Sequence, residues 1–159
     1  MAKRGTVLSS RTWVRIPTIE RTAMSALQLA GCIIPGSDQR ILLIHRNTKK
    51  RQQWEIPGGK LDPEEDAFKA AVREVREETG VEVEIIRELG TAPFNEDGHT
   101  LNYTWFLAEI IDGDPEVQDP QMHDKCEYFS ITELQQIHSE LSANVCNFLD
   151  QLAAGRVSL

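Results

Sequence analysis

Three glutamates near the middle of the chain, Glu74, Glu77 and Glu78, are spaced so that a helix would gather their carboxylates. At about 100° per residue they fall within an arc of roughly 100° on one helix face. Like charges at this spacing repel, and an anion near a helix C-terminus is also disfavoured. The acids form either a solvated face or a site for a hard divalent cation, since Mg²⁺ and Mn²⁺ prefer oxygen ligands.

A glycine pair ahead of this helix favours the cation-binding interpretation. Gly58 and Gly59 follow Pro57 and have no side chains, so their backbone can approach a ligand closely and offer carbonyl oxygens to it. Three acids alone would be typical of a solvated helix face. Because a glycine loop precedes them, we favour a divalent-cation site over a solvated face.

The spacing of these residues resembles the Nudix box at every defined position. Its seven fixed and two apolar positions are matched by Gly59, Glu65, Arg73-Glu74-Val75, Glu77-Glu78 and Gly80-Val81. The preceding segment, residues 54–61, is similar to the strand and loop that usually lead into the box, and residues 26–153 suit one Nudix domain. One departure is Glu64, where many members have glycine, and it touches no fixed position.

The resemblance implies hydrolysis of a nucleoside diphosphate linked to a further group, by attack of water on a pyrophosphate phosphorus. It also implies that Glu74, Glu77 and Glu78 bind Mg²⁺ or Mn²⁺ together with a carbonyl of Gly58 or Gly59. Negative charge builds on the phosphate oxygens in the transition state, and bound cations stabilise it, position the water and lower its pKa.

Arg73 has two alternative roles. It either holds Glu65 or a box glutamate through a charge-assisted pair, or it contacts phosphate. The resemblance favours the first role, with Glu65 as the partner. The general base is either Glu74 or an acid outside the box, for which the candidates are Glu116, Asp119, Asp124 and Glu127; His123 is a weaker candidate.

Candidate substrate-binding residues lie outside the box. Asn144 resembles the asparagine with which MutT-type members read a purine edge, although a helix-start residue facing solvent is an equal alternative. Arg46 is a candidate for phosphate binding or a plain surface arginine. Phe94 is a candidate for stacking on a base.

The substrate class follows by elimination. The markers of ADP-ribose, dinucleoside polyphosphate, NADH and coenzyme A hydrolases are not found at their expected places, which leaves a MutT-like enzyme. Such an enzyme would convert an unmodified or modified nucleoside triphosphate to monophosphate and pyrophosphate. The alternatives are hydrolysis of ADP-ribose or another nucleoside diphosphate derivative, and a non-catalytic nucleotide-sensing domain. The intact box favours catalysis.

The elements that must position these residues follow from apolar runs and turn signals. The box helix is predicted over residues 63–79, with Asp62 as N-cap and Gly80 after its end. Two later helices are predicted, one from the N-cap Thr132 to Ser139 and one over residues 143–153. Strands are predicted at residues 27–34, 41–45, 54–56, 81–86, 101–111 and 127–131. This order predicts an α/β Nudix fold, with a mixed β-sheet sandwiched between helices.

Composition excludes several other classes. The net charge is −8, and because residues 1–23 carry five bases against one acid, the remainder has a net charge of −12. Such a body repels nucleic acid, and no apolar run approaches the roughly 18 residues of a membrane span. Three separated cysteines indicate a reducing compartment, so we expect a cytoplasmic protein acting on a small nucleotide.

The ends of the domain are also predicted. Residues 1–23 are interpreted as a basic disordered leader, or as an extension upstream of a true start at Met24, with a transit peptide as the alternative. Residues 24–159 form the hydrolase domain. Many relatives form dimers, which leaves a homodimer open, although the sequence shows no interface pattern.

Overall fold

Residues 25–159, which the computed structural model describes, form seven strands and three α-helices. The predicted leader and Met24 lie outside this part of the chain. The strands are β1 (Leu27–Ile33), β2 (Ile41–Asn47), β3 (Gln52–Glu55), β4 (Gly58–Lys60), β5 (Glu82–Glu96), β6 (His99–Asp112) and β7 (His123–Phe129). The helices are α1 (Ala67–Thr79), α2 (Ile131–Gln136) and α3 (Ala143–Ala153), with a short 3₁₀ helix, His138–Glu140, before α3.

The strands divide into two sheets. The larger has the order β4-β1-β6-β5, in which β1 and β6 are parallel and the other pairs are antiparallel. The smaller has the order β3-β2-β7 and is antiparallel throughout. The predicted α/β class with mixed strands between helices is confirmed.

Two apolar clusters lie on opposite sides of the larger sheet. Neighbouring side chains of a strand point to opposite faces, so Cys32 joins the cluster beneath α1 and Ile33 the cluster beneath α2 and α3. In α1 the buried residues are Ala70, Ala71, Val75 and Thr79. Phe68, near the start of α1, is 52% exposed and packs edge-on against Phe106 of the sheet at a ring-centroid distance of 6.1 Å. The small alanines let α1 approach the sheet closely.

The predicted start of α1 is wrong by four residues. Glu64 has a φ of 65°, in the left-handed region, so a helix cannot run through it. Asp66, and not Asp62, is the N-cap, and its side chain accepts a hydrogen bond from the Lys69 N–H at 2.8 Å. The predicted end is confirmed, because Gly80 follows Thr79 with a φ of 75°.

The hairpin of β5 and β6 is longer than predicted. Register shifts occur between Glu82 and Val83, between Ile85 and Arg87, and between Glu88 and Gly90. These bulges break the alternation of apolar and polar residues by which a strand is detected. The strands are joined by Asp97 and Gly98, both with positive φ, a pair favoured in two-residue hairpin turns.

The C-terminal helices lie closer to their predicted positions. Ser130, and not Thr132, caps α2, because Ser130 and Glu133 form a reciprocal capping box. The helix α3 has the predicted bounds, with Ser142 as its N-cap. In the described part of the chain, every helix is too short or too polar to cross a bilayer.

Gly80→Ala should destabilise the protein by about 2 kcal/mol, as measured by urea denaturation. A left-handed non-glycine residue costs roughly 1–2 kcal/mol, and the new Cβ would lie 2.6 Å from Gln118 Nε2. The matched control is Gly155→Ala, where φ is 70° but an added Cβ would meet no atom within 4 Å. Equal losses for the two variants would contradict a contribution from the Gln118 contact.

Candidate active site

The box glutamates are presented on α1 beside the start of β4. The Gly58 N–H donates a hydrogen bond to Glu78 Oε2 at 2.9 Å, which ties the last turn of α1 to β4. Glu74 lies one turn earlier and is partly buried, whereas 58% of the Glu77 side chain is exposed. The structure therefore brings Glu74 and Glu78 against the glycine loop and leaves Glu77 open to solvent.

Glycine is required where α1 and β1 approach β4. A Cβ on Gly59 would lie 2.6 Å from the carboxyl carbon of Glu74, so any side chain there would displace that carboxylate. A Cβ on Gly31 or Gly58 would collide with the hydroxyl of Tyr103. The loop is thus held close to the glutamates with no spare volume.

Arg73 links most of the acids around the site. Its Nε and Nη2 each lie 2.8 Å from a different oxygen of Glu65. Its Nη1 donates to Glu74 at 3.0 Å and to Glu77 at 3.1 Å, and Nη2 also donates to the Lys60 carbonyl at 3.1 Å. Of the two roles considered for Arg73, this geometry matches holding the acids in place. The pKa of Glu65 is lowered to about 2, first by the Arg73 hydrogen bonds and then by the Asp62 N–H.

The acidic loop after β6 satisfies the end of α1. The Glu116 N–H donates to the Thr79 carbonyl at 3.0 Å, and the Gln118 N–H donates to the Glu78 carbonyl at 3.3 Å. These bonds occupy carbonyls that a helix C-terminus leaves without intrahelical partners. The loop therefore fixes the turn that carries Glu78.

Two of the proposed general bases are already engaged. Asp124 accepts hydrogen bonds from His45 Nδ1 at 2.6 Å and Asn47 Nδ2 at 2.8 Å. Asp119 accepts from the Gln121 N–H within its own turn. Glu74 also accepts a hydrogen bond, from Arg73, but its carboxylate lies against Gly59 in the site itself.

Burial makes the carboxylates of α1 costly to ionise. The pKa of Glu78 is raised well above its usual value, mainly by desolvation and further by the charges of Glu74 and Glu55. The pKa of Glu74 is also raised by desolvation, although Arg73 opposes the shift. The negative charge of the site is therefore only partly compensated by arginine.

The donor set fits a hard divalent cation in its chemistry. Carboxylate and backbone carbonyl oxygens are the ligands that Mg²⁺ and Mn²⁺ prefer. A bound cation would also provide the positive charge that is missing beside the ionised Glu78. Across residues 25–159 no three His, Cys, Asp or Glu side chains already converge on a common metal-sized point. The residues that could hold the ion are Glu74, Glu77 and Glu78, with the carbonyl of Gly58 or Gly59.

A second group of charged residues lies on the smaller sheet. Arg46 forms a fork with Glu55, with Nε 2.7 Å from Oε1 and Nη2 3.0 Å from Oε2. Gln53 donates to Glu55 Oε1 at 2.8 Å, and buried His123 lies 3.8 Å from Glu55 Oε2. Sequence reasoning missed Glu55, although a charge between the apolar residues Trp54 and Ile56 was the available signal.

Asn144 and Phe94 lie on the other side of the larger sheet from α1. Asn144 is only 8% exposed, so the alternative of a solvent-facing helix-start residue is wrong, and its Oδ1 has no hydrogen-bond partner among the described residues. Phe94 is partly buried and packs edge-on against Tyr103, at a centroid distance of 6.4 Å.

The outer face of α1 is open to solvent along part of the box, away from Glu74 and Glu78. An open cavity of about 700 Å³ runs along this face, and its lining includes Glu65, Arg73 and Glu77. Arg46, Phe94 and Asn144 do not line it. The structure therefore groups the box residues at α1 and the other candidates on separate elements.

Comparison with known proteins gives a family match over most of the chain. The profile of the NUDIX domain matches residues 28–147. A diphosphoinositol polyphosphate phosphohydrolase of Homo sapiens is 38% identical over 87 residues, covering 52% of this chain and 48% of that protein. A putative 8-oxo-dGTP diphosphatase of Bacillus subtilis is 43% identical over 63 residues, covering 40% of this chain and 41% of that protein. The chain thus spans less than half the length of these curated relatives.

A solved structure matches over a larger share of both chains. The MutT NUDIX hydrolase from Burkholderia pseudomallei is 29% identical, with a TM-score of 0.69, and the match covers 80% of this chain and 98% of that one. The two-sheet architecture and the helices around it are therefore shared with this hydrolase.

Glu78→Gln should raise the free energy of unfolding of the metal-free protein at neutral pH. Folding raises the pKa of Glu78, so the wild-type penalty is absent below about pH 4.5 and grows as the pH rises through the folded-state pKa. Urea denaturation in a chelator at several pH values measures the gap, which should close towards pH 4.5. The control is Glu84→Gln, an exposed acid of β5. A gap that is independent of pH would contradict the assigned cause.

Proposed function

Because the chain belongs to the Nudix family, with the NUDIX domain matched over residues 28–147, we propose that it hydrolyses a phosphoanhydride bond of a nucleoside diphosphate derivative. The substrate we propose is an unmodified or modified nucleoside triphosphate, cleaved to monophosphate and pyrophosphate. The Bacillus subtilis relative named as a putative 8-oxo-dGTP diphosphatase and the structural likeness to a MutT hydrolase support this choice.

The contact between Gly58 and Glu78 carries the proposal. It places a partly buried carboxylate, unfavourable by itself, beside a backbone that can approach a phosphate. A nucleotide-sensing domain has no need for such a costly group, because binding does not require activated water. The buried charge is therefore the observation that favours hydrolysis over sensing.

We propose Mg²⁺ or Mn²⁺ as the cofactor, held by Glu74, Glu77 and Glu78 with a carbonyl of Gly58 or Gly59. When bound, the ion supplies positive charge for the polyphosphate and lowers the pKa of a nearby water.

The residues of the chain have separate tasks in this proposal. Arg73 orients Glu65, Glu74 and Glu77 through its hydrogen bonds, so that like charges stay close together. Glu74 is proposed as the general base, because its partly buried carboxylate lies beside Gly59, where desolvation raises its pKa above the usual value and makes it a stronger base. Arg46 is proposed to bind a phosphate of the substrate.

Asn144 is proposed to read the base. Its carboxamide is buried at the first turn of α3, and a buried acceptor without a partner is costly unless a ligand supplies a donor. An asparagine can form two hydrogen bonds with an adenine edge, and its Oδ1 can accept from other purine groups. The free cysteines, Cys32, Cys126 and Cys146, are compatible with the proposed cytoplasmic location.

Assays of phosphate and pyrophosphate release should detect turnover of a nucleoside triphosphate with Mg²⁺ or Mn²⁺. The panel should contain oxidised and unmodified triphosphates, ADP-ribose, dinucleoside polyphosphates, nucleotide sugars and a diphosphoinositol polyphosphate. Glu77→Gln should lower kcat by at least about 100-fold, as expected for loss of a metal ligand. Its folding should change little, because the side chain is mostly exposed.

The control for this variant is again Glu84→Gln. Full activity of Glu77→Gln would contradict its assignment as a ligand. Nucleotide binding without turnover of any compound in the panel would favour the sensing alternative.

Asn144→Ala should reduce discrimination between the preferred base and other bases by about 10- to 100-fold in kcat/KM, since a good bidentate contact contributes roughly 1–3 kcal/mol. The matched control is Asn147→Ala, one turn further along α3, whose side chain donates to the Pro93 carbonyl. Unchanged base selectivity in Asn144→Ala would contradict the assigned role.

A further inference from the structure

The guanidinium of Arg46 is anchored more firmly than a surface arginine needs to be. Its fork with Glu55 joins β2 to β3, and only 23% of the Arg46 side chain and 16% of the Glu55 side chain are exposed. Fork geometry fixes the direction of the guanidinium plane as well as its distance. The fork uses Nε and Nη2 and leaves Nη1 outside it.

The anchoring carboxylate is itself held from two further sides. Glu55 Oε1 accepts from Arg46 and from Gln53. Glu55 Oε2 accepts from Arg46 Nη2 and has His123 Nε2 at 3.8 Å. Residues from all three strands of the smaller sheet therefore surround one carboxylate.

His123 has no other evident role. The ring is 5% exposed, and within residues 25–159 neither of its nitrogens has a hydrogen-bond partner. A buried histidine without hydrogen bonds is costly, so its position calls for an explanation. The carboxylate of Glu55 is the group towards which its Nε2 is placed.

An arginine in this location needs an anchor, because acids surround it. The pKa of Arg46 is raised, first by its hydrogen bond to Glu55 and to a smaller extent by the charges of Glu78 and Glu96, which are therefore competing partners for the guanidinium. Pairing with Glu78 instead of Glu55 would turn the guanidinium towards α1 and neutralise part of the negative charge on which the proposed cation binding depends.

Resting on the proposed function, we propose that Glu55, backed by His123, is a positioning residue that keeps Arg46 directed at a substrate phosphate and away from the glutamates of α1. Glu55 need not touch the substrate, because it acts through Arg46. Gln53 takes part by occupying the second lone pair of Oε1. The class of ligand recognised is a di- or polyphosphate, whatever base it carries.

A double-mutant cycle on phosphate binding tests this proposal. The probe is imidodiphosphate, a pyrophosphate analogue that lacks a base and resists hydrolysis, titrated calorimetrically with Mg²⁺ present. Arg46→Gln should weaken binding by about tenfold, as expected for the loss of a charge-assisted hydrogen bond. Glu55→Gln should weaken it by a similar factor. The double variant should be no weaker than Arg46→Gln alone, because both changes remove the same contact.

Variants of His123 separate positioning from folding. His123→Leu, which removes the polar ring 3.8 Å from Glu55 Oε2, should weaken binding about threefold. His123→Gln, which keeps a polar side chain beside that carboxylate, should weaken binding less. The control is His138→Gln, an exposed histidine of the 3₁₀ helix. Arg46→Lys keeps the charge without the fork and should bind as weakly as Glu55→Gln, with thermal unfolding recorded for every variant. In turnover assays of Glu55→Gln, KM for the nucleotide should rise while kcat is retained.

The proposal is overturned if the losses from Arg46→Gln and Glu55→Gln multiply, if Glu55→Gln binds normally, or if the unsubstituted protein does not bind imidodiphosphate. Failure of the proposed function would give a different result from failure of this positioning proposal. In that case no nucleotide is hydrolysed, while the binding cycle still shows Glu55 acting through Arg46.

Discussion

Repulsion among the carboxylates gathered on α1 is the constraint on which the rest of the structure depends. Arg73 spreads its donors over three glutamates, the Gly58 N–H holds Glu78, and the loop after β6 satisfies the last carbonyls of the helix. Burial of the alanine-rich face of α1 anchors the helix while these charges remain close. The compensation stops short of neutrality, which leaves a local demand for positive charge.

Local chemistry made part of the fold predictable from the sequence. Gly80 marks a helix end because its role depends on neighbours within a few residues, and it acts as the cap of α1 in the structure. The start of α1 was missed because Asp62 and Pro63 carry a good capping pattern, whereas the left-handed backbone of Glu64 postpones the helix to Ala67. The length of β5 was missed because its bulges interrupt the period-two pattern.

In the site too, features set by residues close together in the sequence were predictable, and features set by strand pairing were not. The box residues lie on one helix and the loop before it, so their spacing fixes their relative positions, and the predicted family is confirmed. The grouping of Arg46, Glu55 and His123 depends on the register of three strands, including an irregularity between His45 and Arg46. Periodicity within one strand carries no information about that register. The sequence therefore did not show Glu55 as a partner of Arg46, although its charge between the apolar residues Trp54 and Ile56 was visible.

The hydroxyl of Tyr103 lies against Gly31 and Gly58, so the surroundings of the glycine loop cannot accept a larger side chain. Around the glycine loop there is no volume for a new side chain, so a substitution at Gly31, Gly58 or Gly59 must displace Tyr103, Glu74 or the neighbouring backbone. Arg46 and Asn144 stand on other elements, β2 and α3, whose surroundings are not closed by glycine contacts. Under the proposed function, substitutions on β2 and α3 are therefore expected to alter ligand recognition, whereas side chains added to the glycine loop are expected to displace the glutamates of α1 themselves.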